Sequence, residues 1–99
     1  MSDDERVHCL HPDPDKSAPR IERWKYDAVR KAILASVPDA EPGIAFRELW
    51  QLVPDKLEQR ELEELGSLGW YLTTVKLDLE ARSELKRLPG SPQRLVRPA

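Results

Sequence analysis

Residues 68–96 constrain the fold most. Leu68, Leu72, Val75 and Leu79 recur at i, i+4, i+7 and i+11, so at 100° per residue they fall in one narrow sector of a helix. Two short β-like runs follow, Leu85–Leu88 and Gln93–Val96, separated by Pro89-Gly-Ser-Pro92, the composition of a tight turn. The pattern predicts a helix over about Leu68 to Ser83 that feeds a β-hairpin. An isolated two-stranded hairpin is marginally stable in water, so this one must pack against helices.

Upstream, Tyr26, Val29, Ile33 and Val37 repeat at helical spacing within Trp24–Val37. Pro38 closes that helix, because the residue before a proline avoids helical geometry. After the loop Pro38–Gly43, Ile44-Ala45 reads as a short extended piece. A second helix is expected from Phe46 to about Val53, with Phe46, Leu49, Trp50 and Val53 as its apolar stripe and Pro54 as its breaker. The acidic stretch 55–65 fits either a helical turn or a long loop, and Ser67 is placed to cap the third helix. Residues 1–19 carry Pro12, Pro14, Pro19 and many Asp residues. So little apolar surface does not offset ordering entropy, and a flexible tail is expected there, outside a domain at 20–97. The expected class is mainly α with a small β-hairpin: three helices plus a wing.

That order resembles the winged helix-turn-helix, and Val75–Arg87 carries the likeness. Many winged-helix regulators end their third helix with a leucine, an acid, a basic residue, a glycine, an apolar residue and an arginine. Leu79, Glu80, Arg82, Leu85 and Arg87 match that pattern, with Ser83 in the glycine position. Because glycine tolerates the left-handed conformation that ends such a helix, Ser83 implies a strained or differently shaped cap. The span from about Arg20 to Arg97 also resembles a small uncharacterised family of bacterial winged-helix proteins. The shared features are Lys25-Tyr26, Gly69-Trp-Tyr71, Thr74–Ala81 and Pro92-Gln-Arg-Leu95. This resemblance implies a fold and no established activity; DNA binding carried over from winged helices in general is analogy.

Composition narrows the function classes. Ninety-nine residues allow one domain. A core of about 75–80 residues buries only about 60–65% of its unfolded surface, which disfavours a deep substrate cavity. Charged residues make up 34% of the chain, and no apolar run approaches the roughly 18 residues of a membrane span. Met1-Ser-Asp-Asp-Glu5 lacks the basic and apolar regions of a secretion signal. The single cysteine, Cys9, excludes an internal disulfide, so a reducing cytoplasm is the expected compartment.

Catalysis, metals and cofactors are not expected. No histidine lies beyond His11 and no cysteine beyond Cys9, so Ser-His or Cys-His pairing is not available within residues 20–97. No phosphate-cradling glycine loop is present. His8, Cys9 and His11 offer three ligand types in four residues. Structural zinc sites bring four ligands from two positions, so these read as adventitious.

Charge is segregated although the net value is only −2. Residues 55–64 hold five acidic and two basic groups; residues 82–97 hold Arg82, Lys86, Arg87, Arg94 and Arg97 against Glu84 alone. With Val75 at 0° on the third helix, the sector away from the core holds Trp70, Thr73, Leu77 and Ala81, with Thr74 and Lys76 on the flanks. Two readings follow. In the first, the chain binds duplex DNA through Thr73, Thr74 and Lys76 on the helix and Arg82, Lys86, Arg87, Arg94 and Arg97 around the wing, contacts that neutralise phosphates. It is opposed by the poverty of base-reading side chains on the helix and by Asp78 and Glu80, which would approach the phosphates. Wing cations also occur simply as solvated guards of a sheet edge. In the second reading, Trp70 and Leu77 form a protein-binding face, to a heterologous partner or a second copy, unless the 55–65 segment covers them. The first reading is the expectation from sequence and the second its alternative.

Overall fold

The computed structural model describes residues 5–98. Its elements run β1 (Arg6–His8), β2 (Arg20–Glu22), α1 (Arg23–Ser36), β3 (Ile44–Ala45), α2 (Phe46–Asp55), α3 (Gln59–Leu65), α4 (Leu68–Ala81), β4 (Lys86–Leu88) and β5 (Arg94–Val96). The described residues are mixed α/β: four helices and two small antiparallel sheets, β1-β2 and β3-β5-β4. That corrects the expected three helices with a lone hairpin.

The helices form where the apolar period predicted them. Val29, Ile33, Leu49, Val53, Leu72, Val75 and Leu79 are fully or almost fully buried in one cluster, and α1 packs against both α2 and α4. Pro54 does not break α2; it sits within the helix's last turn, which runs on to Asp55. The acidic segment is largely helix α3. Its start is set by a capping box in which the Glu58 side chain accepts from the backbone of Glu61, and Glu61 Oε1 accepts from Glu58 N at 2.9 Å. That reciprocal pair satisfies two otherwise orphan donors.

The wing is three-stranded because Ile44-Ala45 adds to it, Ile44 pairing with Leu95 and Ala45 with Arg94. Leu95, fully buried, is matched on its other side by Arg87 of the edge strand. Gly43 permits this closure: its φ is +69°, and a Cβ there would lie 2.2 Å from the Leu95 carbonyl oxygen. Beyond β5, Arg97 donates from its backbone N to Pro38 O (2.8 Å) and from Nε to Val37 O (2.7 Å). The wing is thereby fastened to the end of α1.

The segment expected as a tail contributes to the core. Residues 1–4 lie outside the described residues, but β1 pairs with β2 from Arg6↔Glu22 to His8↔Arg20, and Val7, Cys9 and Ile21 are buried. Val7 and Cys9 from one side of the hairpin and Ile21 from the other anchor it, because burying an apolar side chain such as Val or Ile contributes about 1.5–3 kcal/mol, and β2 supplies the backbone partners. Leu10 N donates to Asp78 Oδ1 (2.8 Å) and Cys9 N to Pro19 O (3.0 Å), closing the loop between the strands onto α4.

Helix α4 ends at Ala81 rather than Ser83. Ser83 adopts φ +64°, its N donates to Glu80 O (3.1 Å), and Glu84 N donates to Leu79 O (2.9 Å). These two bonds are the pair that ends many helices over a left-handed residue. The cap therefore has the shape glycine usually provides, with serine in the left-handed position.

Candidate functional site

Its neighbours decide what α4 presents to solvent. Leu72, Val75 and Leu79 face the core. One flank, carrying Asp78, meets α1 and the loop after β1; the other, carrying Gly69, Lys76 and Glu80, meets α2. The remaining sector holds Trp70, Thr73, Thr74, Leu77 and Ala81.

The first flank is built around Asp78, which is 0% exposed. Its Oδ2 accepts from the Tyr26 hydroxyl (2.5 Å), its Oδ1 from Leu10 N (2.8 Å), and both oxygens accept from Arg82 Nε (2.9 and 3.0 Å). Arg82 also donates to His8 O (3.2 Å). Burial and the hydrogen bond to Asp78 push the Tyr26 hydroxyl well above its ordinary range. Burial, reinforced by the Asp78 charge, raises the Cys9 thiol to about 11, so it carries little thiolate at neutral pH. Asp78 was expected to face incoming phosphates; it is instead an internal acceptor that ties the N-terminal hairpin, α1 and α4 together. Arg82, expected on the nucleic-acid surface, is engaged in the same cluster.

The second flank removes Lys76 from the surface. It is 3% exposed, ion-paired with Glu80 one turn on, and its Nζ lies 5.1 Å from the centre of the Phe46 ring. The helix therefore offers no free cation from this position. Glu80, the other expected phosphate-facing acid, pairs with Lys76, and its side chain is 11% exposed.

The outer sector is uncharged. Trp70 is 47% exposed; its ring stands edge-on to Tyr71 at 4.8 Å, and Tyr71 is braced by Lys25, whose Nζ lies 3.3 Å from the hydroxyl and 3.4 Å from Leu65 O. Helix α3 leaves Trp70 uncovered. Thr73 is exposed, and Thr74, Leu77 and Ala81 are half-buried. Beside them Trp50 of α2 is 45% exposed, edge-on to Phe46 at 6.5 Å. Its ring lies over Gly69, where a Cβ would meet it at 2.5 Å. Trp50 thus extends the strip Trp70–Thr73–Leu77 onto α2. Its place in the apolar stripe of α2 had suggested core; the facing glycine was the sequence signal that a large ring crosses α4 here.

The wing residues lie apart from this strip. Lys86, Arg87 and Arg97 are exposed and Arg94 is half-buried. None of the four is in an ion pair among the described residues. Two surface clefts are open to solvent, one at α3 and one beside the wing. One, about 310 Å³, is lined by Trp24, Glu58, Arg60, Glu61 and Glu64. The other, about 380 Å³, lies between Pro12, Glu80, Lys86 and Arg87. Both are at the small end of ligand pockets. Among the described residues no three His, Cys, Asp or Glu side chains are grouped to hold a metal ion: His8 is exposed on β1 while Cys9 is buried beside it. No described helix is long and apolar enough to cross a membrane.

No curated protein and no solved structure matches the chain. One family model does, over residues 6–95, a span that takes in β1 and therefore the hairpin read from sequence as a tail. The chain accordingly belongs to the Family of unknown function (DUF6958).

Proposed function

We propose that this chain is a non-catalytic winged-helix module that works by protein–protein interaction through the outer face of α4 and the neighbouring Trp50. The winged-helix reading is supported by the order helix, short strand, helices and hairpin; α3 and the β1–β2 hairpin are additions to it. The observation that carries the interaction reading is the α4 sector itself. A helix built to read a groove presents Arg, Lys, Asn or Gln. This one presents Trp70, Thr73, Thr74, Leu77 and Ala81, with Lys76 buried in an ion pair. Exposed tryptophans on a braced aromatic base are the usual anchors of protein interfaces. The buried, unpaired Cys9 fits a reducing cytoplasm.

A second reading, duplex DNA held by the wing, is favoured by Lys86, Arg87 and Arg94, which make no ion pair among the described residues. One comparison separates the two. Immobilised chain is presented with lysate of its source cell and, separately, with random duplex at low salt, using wild type, Trp70→Ala and Arg87→Ala/Arg94→Ala. Specific polypeptide capture lost in Trp70→Ala supports the interaction reading. Salt-sensitive duplex retention lost only in the double arginine variant would refute it in favour of DNA.

A further inference from the structure

We infer that the cleft between α3 and the start of α1 seats an arginine side chain of a partner polypeptide, so that the α4 face takes a segment in which arginine lies next to apolar residues. This rests on the reading of that face as a protein-interaction surface and names the chemistry of its partner.

Continuity and charge select this partner. The aromatic contacts do not stop at Trp70. Its ring stands 4.8 Å from that of Tyr71, and the Lys25 ammonium lies 5.1 Å from the Tyr71 ring and 5.7 Å from the Trp24 ring. A chain of contacts thus runs from α4 to the first turn of α1. It is exposed at both ends, Trp70 at 47% and Trp24 at 37%. Lys25 adds little charge to it, because Glu22 lies 3.6 Å away. At the Trp24 end opens the cleft of about 310 Å³, whose other lining residues are Glu58, Arg60, Glu61 and Glu64. Three carboxylates there oppose one guanidinium, and Arg60 is already paired with Glu64 at 3.1 Å. Glu61 Oε1 and Glu64 Oε2 are engaged within the segment. The second oxygen of each makes no hydrogen bond among the described residues and is left to accept. An exposed indole beside carboxylates is the chemistry that attracts a cation. Arginine suits it better than lysine, because a planar guanidinium stacks on an aromatic ring while its N–H groups fork to carboxylate oxygens. A cleft this small and open suits one side chain rather than a whole ligand. The cleft beside the wing has no aromatic lining residue and carries Lys86 and Arg87, so it offers a cation nothing comparable.

The probes are three short fluorescein-labelled peptides in which leucine alternates with arginine, with lysine or with glutamate. Binding is read by fluorescence anisotropy to wild type, Trp24→Leu, Glu61→Gln/Glu64→Gln and Trp70→Ala. The double variant keeps the α3 cap, because glutamine closes a capping box as glutamate does. Trp24→Leu keeps an apolar side chain and removes the ring. The arginine peptide is expected to bind most tightly, the lysine peptide less so and the glutamate peptide not at all. Trp24→Leu should weaken the arginine peptide roughly 2- to 5-fold, the size of an exposed cation–π contact. Glu61→Gln/Glu64→Gln should weaken it by a similar factor and lessen its dependence on salt. An arginine peptide indifferent to Trp24→Leu is held by charge alone, and one indifferent to the glutamine variant by the ring alone; either overturns the inference, as does equal binding of the arginine and glutamate peptides. Trp70-dependent capture of a polypeptide that neither variant weakens also overturns it while leaving the interaction-module reading intact. Arginine-peptide binding that needs Trp24 but not Trp70 supports the cleft and counts against that reading.

Discussion

Removing the Asp78 carboxylate should cost more than any surface change, and the structure allows the loss to be worked out. In Asp78→Ala the hydroxyl of Tyr26, a residue 6% exposed, loses its acceptor, and a buried unsatisfied donor costs about 1–3 kcal/mol. Leu10 N, partly buried, loses its bond at 2.8 Å, worth about 1 kcal/mol. Arg82 is a third exposed and can turn to water, so its loss is small. Relief from no longer burying a charge offsets part of this. The net is about 3 kcal/mol, at the lower edge of the 3–5 kcal/mol typical when one member of a buried ion pair is deleted. With a urea m-value of about 1–1.5 kcal/mol/M for a domain of this size, the midpoint should fall by about 2–3 M. Tyr26→Phe alone should cost about 1–2 kcal/mol, and the double variant should lose less than the sum by about 1 kcal/mol, because both changes remove the same bond. Amide exchange at Leu10 should become fast in Asp78→Ala, since its N–H then has no acceptor. A midpoint shift below about 0.5 M, or additive single variants, would refute the description of Asp78 as the shared acceptor that closes the hairpin onto α4.

Two further outcomes are expected. Ser83→Gly should stabilise the fold by about 0.5–1 kcal/mol, because relief of the left-handed penalty at φ +64° exceeds the entropy cost of glycine; thermal unfolding reads this as a rise of a few degrees. Cys9 titrates at about 11 in the folded chain against an ordinary 9.0. A group whose value is raised on folding stabilises fully below its unfolded value and loses that contribution as pH climbs through the folded one. Stability should therefore decline between about pH 9 and 11, with the Tyr26 hydroxyl, also raised on folding, adding to the upper part of that range; in Cys9→Ser the decline should become shallower, as urea midpoints measured across the range will show.

Much of the helical frame was legible in the residues. Leu68, Leu72, Val75 and Leu79 mark α4 because a four-residue match to one period is hard to satisfy otherwise, and Pro38 and the Pro89–Pro92 turn punctuate the chain for steric reasons that do not depend on context. The short elements were not legible. Val7, Cys9 and Ile21 alternate over too few positions to stand out from a proline-rich segment, and α3 is capped by glutamate where serine, threonine, aspartate or asparagine is the recognisable signal. A charge's role was least legible of all. Lys76, Asp78, Glu80 and Arg82 read as surface charges on one helix.

Sequence by itself determined the period of α1, α2 and α4, the wing turn, and an outer α4 sector of Trp70, Thr73 and Leu77, because periodicity is a property of one helix alone. Tertiary structure decided which flanks of α4 were covered. Phe46 of α2 closed over Lys76, and Tyr26 of α1 with the backbone at Leu10 closed over Asp78. Whether a charge belongs to the core or to a partner depends on a neighbour tens of residues away. Only packing brought those neighbours in, and it left α4 with an uncharged face.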